Sequence, residues 1–182
     1  MAIPVSAGNS STFKPCPAGV HQAVCADVVD MGILEVKWNN EVKKQHKVRI
    51  VWQVEDVDPD NNKPYIVQKR YTASLHEKAQ LRKDLESWRG RAFTEAELHQ
   101  FDLEVLLGVN AFINVVHVSR DGKTYANVTA VMPLKKGMDK IATRDYTRVV
   151  DREPTTEPSH GSYAEHDDRD SVPPVMDDDI PF

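Results

Sequence analysis

The sequence predicts a mainly β domain with one main helix and an acidic appendage, and three observations carry that reading. Several runs alternate apolar with polar residues, the period of a strand with one face buried. A single long stretch has helical spacing instead. Residues 151–182 have almost no periodic apolar residues, and they hold ten acids and five prolines against two arginines. Such a composition cannot bury enough surface to offset ordering entropy, so disorder is expected from Asp151 onward. The formal net charge of −5 is therefore a poor description of the chain. The appendage carries −8, which leaves residues 1–150 at +3.

The first strand is expected where Val20, Gln22, Val24, Ala26 and Val28 alternate with His21, Ala23, Cys25, Asp27 and Val29. Gly32 bends or interrupts it, and Ile33 to Lys37 continue it. The polar segment WNNEVKKQH then reads as a loop. It leads to a second strand over 47–54, with Val48, Ile50, Trp52 and Val54 on one face and Lys47, Arg49 and Gln53 on the other. The turn DVDPDNNKP returns the chain into a third strand, 65–72. Ser74 with Glu77 reads as a capping box, followed by Leu75, Ala79, Leu81, Leu85 and Trp88 at helical spacing until Gly90 ends the helix. Thr94 with Glu97 announces a shorter helix. Residues 111–119 and 124–132 flank Arg120-Asp121-Gly122-Lys123, a hairpin turn. Three strands, a helix and two strands is the order of an OB-fold, a five-stranded Greek-key barrel with a helix between strands 3 and 4. The division expected is a flexible arm at 1–17, the OB domain at 18–135, a basic link at 136–150 and the disordered acidic tail at 151–182.

Enzymatic chemistry finds no support in the motifs. The seven histidines form no HExxH or HxH array, no glycine-rich loop precedes a Lys-Ser or Lys-Thr pair, and Cys16 and Cys25 lack CxxC spacing. Asp56, Asp58 and Asp60 lie in a turn that lacks the glycine and closing glutamate of an EF-hand. Neither catalysis, metal nor cofactor is expected. No basic start with an apolar run opens the sequence and no stretch approaches membrane-spanning length, so no membrane partner is expected and the location expected is cytoplasmic, inside a bacterial host cell.

Nucleic-acid binding is the better-supported chemistry. OB barrels bind oligonucleotides on the strand 2–3 face and with the loops joining strands 1–2 and 4–5. Here those places hold Trp38, Lys43, Lys44 and His46, then Lys47, Arg49, Tyr65, Lys69 and Tyr71, then Arg120, Lys123 and Tyr125. Cations follow phosphates while exposed bases stack on aromatic rings, a mixture suited to single strands.

The last six residues, Asp177-Asp178-Asp179-Ile180-Pro181-Phe182, resemble the terminal tip of bacterial single-stranded-DNA-binding proteins. That resemblance implies docking on replication, repair and recombination enzymes. The physics of such a tip suits docking: two apolar side chains fill a pocket, the terminal carboxylate finds a basic receptor, and the aspartates steer approach. In the body, over about 18–133, RYTASLHEKAQLRKDLESWRGR followed by FDLEVLLG resembles phage single-stranded-DNA-binding proteins with OB-folds. In this reading Leu81, Leu85 and Trp88 plug the barrel while Arg89 and Arg91 pair with acids. The expectation is a sequence-independent single-stranded-DNA-binding protein of replication and recombination, whose tail competes with DNA for the groove. The alternative is an adaptor that uses the tip without binding DNA. Nothing in the pattern specifies a subunit number.

Overall fold

The computed structural model describes residues 14–152. Five strands, β1 (Gly19–Trp38), β2 (Glu41–Val57), β3 (Pro64–Thr72), β4 (Asn110–Arg120) and β5 (Lys123–Pro133), form one antiparallel sheet in the order β3-β2-β1-β4-β5. Helices α1 (Gln80–Arg89) and α2 (Glu95–His99) and a 3-10 turn at Leu103–Leu106 fill the connection from β3 to β4. Strand number, strand order in the chain and the helix between the third and fourth strands match the expectation.

The segment expected as the first loop is instead strand. β1 and β2 pair continuously out to Trp38 opposite Glu41, and the reversal takes only Asn39 and Asn40. Both asparagines have positive φ, 46° and 64°, the conformation a two-residue hairpin with right-handed strand twist requires. Asparagine tolerates that region because its short polar side chain can bond locally. Asp121 and Gly122, with φ of 49° and 73°, make the equivalent turn between β4 and β5. Two bulges, between Cys25 and Asp27 and between Asp30 and Gly32, let β1 twist along its length.

On the inner face of the sheet lie Ala23, Cys25, Val48, Ile50, Trp52, Val54, Val67, Tyr71, Ala111, Ile113, Val115, Val128 and Val131, all buried. The helix α1 covers them with Leu81, Leu85 and Trp88, and the Trp52 and Trp88 rings lie 5.9 Å apart. Polar bonds fix its position: Trp88 Nε1 donates to the Asn110 carbonyl at 2.9 Å, and Ser87 Oγ to the Val131 carbonyl at 2.6 Å. The expected start of this helix is corrected. Ser74 Oγ accepts from the His76 amide at 3.2 Å, a local turn, and α1 begins only at Gln80 behind an uncapped Ala79. A serine hydroxyl engaged two residues on cannot cap the third, so the local turn displaced the helix start. Gly90 ends the helix at φ 69° as expected. The Thr94–Glu97 capping box is present, and Glu97 also takes Arg89 at 2.5 Å and Arg91 at 2.8 Å. Arg91 above all, then the Thr94 amide and Arg89, hold the Glu97 carboxyl well below the usual range.

Asp84 locks α1 to the sheet. Its buried carboxylate accepts from Lys69 Nζ at 2.7 Å, Tyr71 Oη at 2.8 Å and Gln80 Nε2 at 2.6 Å. Replacing it strands a phenol and an ammonium that water reaches poorly. Asp84→Ala is expected to lower stability by about 3 kcal/mol. In urea this appears as a reduced midpoint with an unchanged slope.

Candidate nucleic-acid interface

Residues directly opposite in an antiparallel ladder share a face, so the pairing assigns each candidate side chain to one side of the sheet. β2 alternates without interruption from Glu41 to Val54: even-numbered residues face the core side, odd-numbered ones the outer side. Lys43, Lys47 and Arg49 thus share the outer face, and Trp38, opposite Glu41, joins them with Val36 and Leu34. Lys44 and His46 lie on the other side of the projecting β1–β2 ribbon, beside Ile33 and Val42, which are 71% and 53% exposed. His46 bonds Asp30 at 2.6 Å. The Gly32 amide first and His46 second pull the Asp30 carboxyl below its ordinary value, which fastens the second bulge.

Three of the expected contacts belong to the inner face. Tyr71 pairs with Val48, Lys69 with Ile50 and, two residues further, Val67 with Trp52. Tyr71 is 3% exposed and bonded to Asp84, and its phenol is pushed well above the usual value by burial and then by that carboxylate. Lys69 is the ammonium of the same cluster and stands over the Tyr71 ring. Tyr65 packs half-buried against the core. Sequence alternation does not say which strand face is wet, and here the basic-aromatic face of β3 turned inward. The outward residues of β3 are Ile66, Gln68 and Arg70, opposite Gln53, Val51 and Arg49. Arg70 is thus an outer-face cation that the pattern did not single out. Its signal was available in the register, because it alternates with Lys69 and Tyr71.

Lys47 faces outward yet is only 6% exposed, with its ammonium 3.1 Å from Thr72 Oγ1. At the other hairpin Arg120 and Lys123 pair across the tight turn, and Tyr125 pairs with Val118. This hairpin projects past the start of β1, since Val115 already lies opposite Gly19. The register thus sends it off the opposite end of β1 from the ribbon. The aspartates of the 56–63 turn diverge: Asp56 takes His21 Nδ1, Asp60 takes Lys14, and Asp58 holds the turn by accepting from the Asp60 amide and Asn61 Nδ2.

The largest departure from expectation lies after β5. The segment 136–150, read as a basic link, belongs to a strap over 134–152 that β4, β1 and β2 grip on their outer face between residues 139 and 149. Asp151 and Arg152, expected in the disordered tail, end this strap in a 3-10 turn, Val149–Asp151. Asn110 Oδ1 accepts from the Ile141 amide and its Nδ2 donates to the Ile141 carbonyl, both at 2.9 Å. Gln53 makes the same two-way grip on Arg144, at 2.6 Å each way. Gln22 Nε2 donates to the Asp139 carbonyl at 2.7 Å. Farther along, the Asp27 carboxylate accepts from the Val149 amide at 2.7 Å, Arg148 Nε at 3.1 Å and Tyr146 Oη at 3.2 Å, while Arg148 also reaches Glu104 at 2.7 Å. Asp27 is 0% exposed, and Val24, Ala26 and Val51 are buried with it on this outer side. Burial first, then Asp27, pushes the Tyr146 phenol up to about 12, a shift that Arg152, standing over its ring, opposes.

Residues 1–13 of the expected arm and the tail from 153 onward, including the tip Asp177, Asp178, Asp179, Ile180, Pro181 and Phe182, lie outside the described residues. Among the described residues no helix is long and apolar enough to cross a membrane. No protein-family model and no curated protein sequence matches this chain.

Two measurements check this geometry. Burial pushes the thiols of Cys16 and Cys25 up to about 12, so neither is expected to react with a thiol reagent at pH 8 until denaturant is added. Asp27→Ala removes the acceptor of three strap bonds, so hydrogen exchange at the Val149 amide should accelerate by about tenfold or more. The Ile50 and Trp52 amides should be unaffected.

Proposed function

We propose that the chain is an OB-fold protein that binds single-stranded DNA without sequence preference and recruits partner enzymes through its C-terminal tip. The β3-β2-β1-β4-β5 order, with α1 packed against both edge strands, is what a closed OB barrel would have once β3 meets β5. The observation that carries the binding reading is the outer face of the β1–β2 ribbon. There Trp38, Val36 and Leu34 lie opposite Glu41, Lys43 and Gln45, and Lys44 is exposed on the other side of the same ribbon. The Trp38 ring can stack a base while Val36 and Leu34 add apolar contact, and the ribbon lysines Lys43 and Lys44 can pair with phosphates, a combination indifferent to base identity. The tip reading rests on the sequence DDDIPF and on the charge contrast between tail and body.

A titration of fluorescent oligo-dT against a duplex of equal length tests the proposal. Binding should favour the single strand, and log affinity should fall with log salt at about −0.7 per phosphate contact. Trp38→Ala should weaken oligo-dT binding by about 1–3 kcal/mol without changing the unfolding midpoint. Equal affinity for the two forms at low salt rejects single-strand binding. An oligonucleotide left free at every protein concentration leaves the adaptor reading in its place.

A further inference from the structure

We propose that the docked strap is itself a phosphate-binding element, in which Lys135, Lys136, Lys140 and Arg144 extend the cationic row of the ribbon across the sheet. The inference rests on the single-strand-binding reading and names a part of the site that the strand pattern did not contain. Its starting point is a shortage of available charge. Of the cations expected on the sheet, Lys69 is bound to Asp84 on the inner side, Lys47 is buried against Thr72, and Arg49 is only partly exposed. The strap covers the central outer face of β1 and β2, so a polynucleotide crossing there meets the strap before it meets the strands.

The strap is anchored too firmly to serve as a loose cover. Lifting it would break the two amide grips at Asn110 and Gln53 and expose Val24, Ala26 and Val51. It would also uncover the Asp27 carboxylate in the middle of a face meant for phosphates. Docked, the strap does the reverse: Arg148 faces Asp27, while Lys135, Lys136, Lys140 and Arg144 are exposed. Against them on 134–147 stand only Asp139 and Asp145. The grips on Ile141 and Arg144 act through the strap backbone, while Arg144 Nη2 donates to the Glu55 carbonyl at 3.4 Å and its side chain stays exposed.

Direction matters as much as charge. Along β2 the strap meets Gln53 through Arg144 and then the Asp27–Val51 pair through residues 146–149, and the same strand continues to Arg49, Lys47 and Lys43. Strap and ribbon therefore lie end to end on one face. From Gln53 to Lys43 this line spans about 34 Å at strand rise.

The test uses the full chain carrying Lys135→Gln, Lys136→Gln and Lys140→Gln together, three exposed positions that leave the strap anchors intact. Oligo-dT affinity in 0.1 M salt should fall about tenfold or more, and the salt slope should shrink by about 2. The unfolding midpoint should not move. Unchanged affinity and slope, while the unaltered protein binds oligo-dT, overturn the strap inference and leave single-strand binding standing. Tighter binding by the triple variant overturns it as well, since the strap would then obstruct the strand. Failure of the unaltered protein to bind oligo-dT removes the underlying reading and this inference with it.

Discussion

The β1–β2 ladder is the constraint on which the other elements depend. It runs from Ala23 opposite Val54 to Trp38 opposite Glu41, broken by two bulges in β1, and its alternation allots the paired side chains of both strands to one of two faces. The inner allotment supplies Ile50, Trp52 and Val54 to the core and so dictates where α1 must pack. The outer allotment supplies Asp27 and Gln53 to the strap. Beyond the reach of β3, whose ladder stops at Lys47 opposite Thr72, the two strands continue as a ribbon with both faces wet. One continuous pairing thus generates core, strap seat and ribbon. A slip of one residue would invert all three.

Two buried carboxylates occupy corresponding roles on opposite sides of this sheet. Asp84 gathers Lys69, Tyr71 and Gln80 and ties the helix to β3; Asp27 gathers Tyr146, Arg148 and Val149 and ties the strap to β1. Each is an anion removed from water whose cost is met by several donors, one of them cationic. Such clusters add little net energy over an apolar contact, yet they tolerate only one arrangement of the element they hold. They also consume lysine, arginine and tyrosine. Residues that read as nucleic-acid contacts by type alone are, at Lys69 and Tyr71, the donors of such a cluster.

With those residues committed to structure, the exposed lysines left on this side are those of the ribbon and the strap, with Lys123 at the β4–β5 turn. Where the sheet grips the strap by its backbone, at Asp139, Ile141 and Arg144, Lys135, Lys136 and Lys140 stay exposed, so a segment without regular secondary structure can present a fixed pattern of charge. Because the strap ends at the Asp27 cluster, the chain reaches Arg152 on the outer side of the sheet, where it donates to the Thr147 carbonyl and stands over the Tyr146 ring.

Much of the fold was legible in the sequence because its signals are local. Alternation marked the strands, Asp121-Gly122 marked a hairpin, Thr94–Glu97 a helix start and Gly90 a helix end. The Asn39-Asn40 turn was equally local but lay inside a run of lysines that resembled a loop, and the Ser74–Glu77 cap lost to a competing turn of the same serine. The candidate site was legible only in part. Residue types at Trp38, Lys43 and Arg49 pointed to the outer face, whereas the inward turn of Tyr71 and Lys69 depended on Asp84, thirteen and fifteen residues away on another element. The strap was hidden for the same reason, since Asp27, Gln53 and Asn110 meet residues 141–149 across separations no periodicity encodes. By itself the sequence determined where strands and helices form, because backbone geometry responds to near neighbours. Only the tertiary structure decided which face of each strand is wet, because burial depends on what distant chain arrives to cover it.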